Sequence, residues 1–160
     1  MSQRAIDLSK RIEIFRDDVL AFVKTLSGDE QHAMCDWEHW PAVVTARHLG
    51  SQHLGAFINI LRMVVQGKDL PPLTMDQINE MSKQDSRAHL DCTKSDALEQ
   101  LQKNGAEFAA FVAGLSDEDL DRKGSMPAFG GEVTVEQLIE FVVFKSAQQH
   151  LDSMKTAVGR

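Results

Sequence analysis

Between Leu8 and Leu26 the apolar residues Leu8, Ile12, Phe15, Val19, Phe22 and Leu26 recur at spacings that alternate between four and three. A chain that advances about 3.6 residues per turn returns to one face at those intervals, so the segment is expected to be a helix with a single buried seam. Such a helix cannot bury its seam alone and needs similar faces to pack against. The rest of the chain supplies them, and no stretch shows the two-residue alternation of a half-buried strand.

Helix two is expected over about residues 40–66. Pro41 suits a first helical position, and the apolar run continues through Val43, Val44, Leu54, Phe57, Ile58, Leu61 and Val65. Gly67 is a natural stop, and Pro71-Pro72 forbids continuation. The polar stretch between helices one and two, SGDEQHAMCDWEH, reads as a loop with at most one helical turn. A long connection, residues 67–95, then holds a short helical candidate, TMDQINEMSK, opened by a Thr74 to Gln77 capping box. Asp96 and Glu99 read as the start of helix three, whose seam is Leu98, Leu101, Gly105, Phe108, Val112 and Leu115. After the acidic and then Gly- and Pro-rich SDEDLDRKGSMPAFGGE, Thr134 and Gln137 form another capping box. They open helix four, about residues 135–158, with Ile139, Val143, Ser146, Ala147, His150 and Met154 inward. The expected fold is all-α: one four-helix-bundle domain over residues 1–160, with a long crossover between helices two and three.

Composition narrows the function classes. A chain of 160 residues, 42% of them hydrophobic, can bury a sizeable core without a metal or disulfide. The formal charge is −7 and the Lys and Arg residues are scattered singly, which argues against a nucleic-acid partner. No apolar run approaches the roughly 20 residues of a membrane helix, and the charged N-terminus is unlike a secretory signal, so a cytoplasmic protein without a membrane partner is expected. Cys35 and Cys92 are far apart, outside any CxxC pair, and read as free, buried filler thiols.

Six histidines raise the question of a metal. His150 falls on the inward stripe of helix four, where burial is costly unless both ring nitrogens find partners or an ion. His48 sits at the border of helix two's apolar arc, and Gly50 and Gly55 nearby could let another backbone come close. His53 follows His48 by five residues, which on a regular helix turns it well over a quarter-circle away, so it reads as a packing or interface residue. The loop group His32, Cys35, Asp36 and His39 lacks the paired thiolates usual in structural zinc sites. His89 reads as a solvated loop residue.

Three segments together resemble the DinB/YfiT-like family of four-helix proteins, which includes bacterial thiol-dependent transferases. They are WPAVVTARHL at residues 40–49, INEMSKQDSRAHLDCTKSDALEQLQKNGAEFAAFVAGLSDEDLD at 78–121, and GGEVTVEQLIEFVVFKSAQQHLDSM at 130–154. The resemblance implies metal ligands from one histidine on helix two and a His-x-x-x-His pair on helix four. These positions correspond to His48 and His150, while the position one turn before His150 is Ser146. Serine is a poor ligand for the metals that imidazole favours. The resemblance thus implies a metal-dependent thiol transferase or hydrolase, using zinc or nickel, with an incomplete histidine triad. Gln52 and Gln149 are the amide candidates to fill the gap, and Ser146→His is the change expected to restore the triad. A metal-free variant, with His150 as base and Ser146 as nucleophile, lacks a carboxylate member at helical spacing. The alternative from another class is a homodimeric scaffold or small-ligand binder that has lost the metal.

Overall fold

The computed structural model describes all residues, 1–160. Four long helical rods dominate it, in the order expected for the bundle. The first, α1 (Gln3–Lys24), starts at Ser2, whose side chain accepts the Ala5 N–H. Its whole predicted seam, Leu8 through Phe22, is buried, and Leu26 just beyond the helix is buried too. A one-turn helix, α2 (Gly28–Gln31), and a minimal antiparallel pair, β1 (Met34–Cys35) with β2 (Trp40–Pro41), fill the first connection.

The second rod is not a uniform α-helix. It runs as α3 (Ala42–His48), a π-helical segment π1 (Leu49–Ala56), and α4 (Phe57–Val65), with Pro41 as its N-cap. Gly67, at φ +70°, takes the left-handed conformation that ends it. The crossover contains α5 (Met75–Ala88), opened by the Thr74–Gln77 capping box. The third rod, α6 (Lys94–Ala113), begins earlier than expected. Thr93 and Asp96 form its capping box, so Asp96 is the third helical residue and not the start signal. After a short α7 (Asp117–Asp121) comes a hairpin, β3 (Lys123–Met126) with β4 (Gly131–Thr134), closed by a single 3₁₀ turn at Pro127–Phe129. The fourth rod is again composite: α8 (Val135–Ile139), a π-helical π2 (Glu140–Ala147), and α9 (Gln148–Ala157).

The two small hairpins correct the expectation of no strands. Strands of two and four residues are too short to display alternation, and their pairing was not readable from it. They sit at connections and leave the bundle intact. One cluster of 36 buried apolar residues joins all four rods, with Phe108 of α6 at 0% exposure. Within it α6 packs on α1 and on π1, while α9 packs on α3.

The contact between π1 and α6 is unusually close, and glycine makes it so. A Cβ on Gly50 would lie 2.7 Å from the Leu101 backbone nitrogen. From the other side, Asn104 Nδ2 donates to the Gly50 carbonyl at 3.0 Å, tying π1 to the third rod. The structure therefore uses Gly50 for the close approach that the sequence suggested.

Candidate metal centre

The π-helical segment decides what helix two presents to the bundle interior. On an α-helix five residues sweep about 500°, leaving His53 roughly 140° from His48. A π-helix bonds i to i+5 and closes its turn more than half a residue later, so a five-residue step returns to nearly the same face. The His48 and His53 ring centroids are accordingly only 4.9 Å apart. This corrects the reading of His53 as a residue turned away from His48: the helix between them is not regular.

His150 of α9 completes the group, with its ring 5.0 Å from each of the other two. One ligand atom from each of His48, His53 and His150 can be chosen so that all lie within 4.8 Å of one another. His48 is 4% and His150 7% exposed. His53 is half-buried along the cavity wall, but its Nδ1 is shut off from solvent. The structure thus brings together both sequence-predicted ligands, His48 and His150, and adds His53.

Ser146 lies beside this third imidazole, its Oγ sharing a 3.1 Å hydrogen bond with His53 Nε2. The imidazole beside position 146 therefore comes from helix two, and three histidines converge where the resemblance supplies two. The amide candidates do not fill it: Gln149 is exposed, and the Gln52 amide points its Nε2 at Asp85. The serine-based alternative also loses its geometry, because Ser146 bonds to His53 and not to His150.

Glu38 is the residue that sequence reasoning did not single out. It lies in the four-residue turn between β1 and β2, closed by a His39 N–H to Cys35 carbonyl bond of 2.9 Å, with His39 at φ +60°. That turn delivers a carboxylate whose side chain is only 2% exposed. Its Oε2 accepts from His150 Nδ1 at 3.0 Å and its Oε1 accepts from the Ser153 hydroxyl at 2.6 Å. With the proton held on Nδ1, the Nε2 lone pair of His150 is left for a ligand. Carboxylates placed behind ligating histidines fix ring and tautomer in this way. Glu38→Gln should therefore weaken divalent-metal binding about 10- to 100-fold, as checked by competition with a chromogenic chelator.

The electrostatics keep the His48 and His53 rings neutral. Burial, reinforced by nearby His150, lowers the His48 pKa to about 3. His53 is pushed well below its ordinary value by burial first and then by the other two rings. Neutral imidazoles are the form that binds metals. Both nitrogens labelled Nδ1, of His48 and of His53, are nevertheless buried with no hydrogen-bond partner. Each such orphan costs about 1–3 kcal/mol unless something satisfies it. In the metal-free protein, both rings have folded-state pKa values below the unfolded value of about 6.5. Their contribution to stability is thus complete above about pH 6.5 and is lost as the pH falls toward 3, where the unfolded chain takes up the protons first. Thermal melts of chelator-treated protein should show this slope, and His48→Gln with His53→Gln should flatten it.

The remaining candidates lie elsewhere. His32 and His39 are exposed and belong to no ligand cluster. Cys35 is fully buried and outside the histidine cluster, and its thiol pKa is raised by burial. Cys92 is half-buried rather than buried, with its thiol directed at the Val43 carbonyl. His89 caps α5, its Nδ1 donating to the Asp85 carbonyl at 2.7 Å, and is only partly solvated.

Fold and site together define the class: a four-helix bundle whose interior holds a histidine cluster able to bind a metal ion. The chain belongs to the DinB superfamily, whose family model matches residues 11–152. Among solved structures it is similar to YfiT from Bacillus subtilis, described as a probable metal-dependent hydrolase with an unusual four-helix bundle topology. That likeness has a TM-score of 0.75 at 17% identity and covers 100% of this chain and 89% of the other, and it is a likeness of fold. No curated protein matches the sequence. No helix is long and apolar enough to cross a membrane.

Proposed function

We propose that this chain is a metal-dependent enzyme, a hydrolase or thiol transferase, with a divalent ion such as zinc or nickel held by His48, His53 and His150. The observation that carries the reading is the convergence of three imidazoles within 4.8 Å, two of which, His48 and His53, are held neutral by burial and each carry an unpartnered buried nitrogen. Three histidines leave coordination positions open, as catalytic sites require and structural ones do not. A bound divalent ion supplies Lewis acidity, which makes a water or a thiol acidic enough to be a nucleophile near neutral pH. Glu38 holds the proton on His150 Nδ1, Ser146 orients His53, and the aromatic and aliphatic walls of the adjoining cavity give the site a largely apolar approach. The family of the chain and the description of YfiT agree with this chemistry.

The alternative, a non-catalytic homodimeric binder, drew its support from the missing histidine at position 146, and His53 removes that support. Metal content tests the reading. Protein made without a histidine tag or chelators, reconstituted with zinc or nickel and dialysed, should retain about one equivalent. At a hundredfold excess of metal over its Kd the gain is about 2.7 kcal/mol, or roughly 5–11 °C in Tm for a domain of this size. Less than about a tenth of an equivalent from every metal tried, where a formed site retains about one, would overturn it.

A further inference from the structure

Above the three histidines opens a cavity of about 480 Å³, within the range of small-molecule sites. Its lining is lopsided: 13 of its 22 residues are hydrophobic. Lys83 is the single ammonium or guanidinium group among them, and the single carboxylate, Glu38, is already engaged by His150 and Ser153. The other polar side chains, among them Gln52, Asn79, Ser82 and Ser146, are outnumbered by the apolar ones, so most of a ligand's surface would meet hydrocarbon.

The rim points the same way. Trp37 is 61%, Met81 56% and Phe141 39% exposed, three of the seven large apolar side chains that reach solvent. They come from separate elements, the β1–β2 turn, α5 and π2, yet all three line this one opening. Apolar groups from distant parts of a chain gathered around a concave mouth mark a binding surface, not scattered exposure. Met75, Met81 and Met126 contribute flexible thioethers that can mould to shape.

From these observations we propose that the cavity receives a small molecule with an apolar body, alkyl or aromatic, and one polar reactive group delivered to the histidines. The delivery of that group rests on the metal-dependent reading above; the apolar body does not. Concavity and volume favour a small molecule over a second copy of the chain, for which a flat face would serve.

Both tryptophans of the chain, Trp37 and Trp40, line the cavity, so intrinsic fluorescence reports on it directly. Metal-free protein titrated with straight-chain alcohols from ethanol to octanol should give saturable changes in emission, with affinity rising about three- to fourfold per methylene. Phe141→Ser should shrink the gain for the longest alcohols while leaving the short ones unchanged. Metal-loaded protein should show the same rise along alkyl hydroxamates, whose head group binds metal. If alcohols follow this trend but acetohydroxamate binds no better with metal than without, the apolar-body assignment stands and the metal reading falls. A flat response along both series overturns the proposal. So does emission that follows protein concentration together with a dimer in sedimentation, since the rim is then an interface between copies.

Discussion

His53→Gln should lower zinc or nickel affinity by two to three orders of magnitude while leaving the fold intact, as read by chelator competition and circular dichroism. Structural zinc sites with four ligands release about 10–16 kcal/mol, about 2.5–4 kcal/mol per ligand, which sets the size of the loss. His53 is half-buried against an open cavity, so the amide, of similar size, leaves no sealed void and the bundle has little reason to unfold. His48→Gln and His150→Gln should lose affinity to a similar degree. A His53→Gln protein that binds metal as the parent does would show that the ion is held by His48 and His150 alone, and that the π-helical turn is incidental to the site. Ser146→His, by contrast, should give little further gain, because the imidazole of His53 already occupies the neighbourhood of Ser146 Oγ at 3.1 Å.

Gly50→Ala should destabilise the protein and disturb the site together. The new Cβ would meet the backbone of α6, 2.7 Å from Leu101 N and 2.9 Å from Gln100 C, where neither partner is the flexible end of a side chain. With two backbone contacts under 3 Å the overpacking belongs in the upper part of the usual range, about 2–3 kcal/mol, and the roughly 1 kcal/mol that alanine gains over glycine in a helix offsets only part of it. The net loss corresponds to a fall in Tm of roughly 2–8 °C. Because π1 carries both Gly50 and His53, a shift of the segment away from α6 also moves an imidazole. Metal affinity should therefore fall in this variant although no ligand is changed, and an unchanged Tm would mean that the rods separate without strain.

Much of the architecture was legible because it follows from repeated local rules. The seam of helix one, that of helix three except for half-buried Leu98, the Thr74–Gln77 and Thr134–Gln137 capping boxes and the Gly67 stop each rest on a few neighbouring residues, and each appears in the structure. The start of helix three was misplaced for a local reason as well: Thr93 with Asp96 competes with Asp96 and Glu99 for the same signature, and only the backbone shows which side chain caps. The two hairpins escaped because so few residues pair.

The site was half legible. His48 and His150 stand out from their stripes and from the family resemblance. His53 was visible as a histidine on the apolar arc and dismissed by an assumption of 3.6-residue geometry. Glycines at 50 and 55, five apart like the two histidines, were the available hint that this helix departs from it. Glu38 had no such hint. It lies in an aperiodic loop 112 residues from His150, and no spacing rule connects the two.

Sequence alone determined the four rods, their order and the long crossover, since periodicity and capping are properties of adjacent residues, and it put forward His48 and His150 as candidates. Tertiary structure decided that π1 forms, because its backbone geometry is secured by Asn104 and by the close approach of α6 at Gly50. It likewise decided that Glu38 meets His150 and that Trp37, Met81 and Phe141 share one rim. Those contacts depend on where distant elements come to rest, and the free energy that places them there belongs to the packed bundle, not to any one segment.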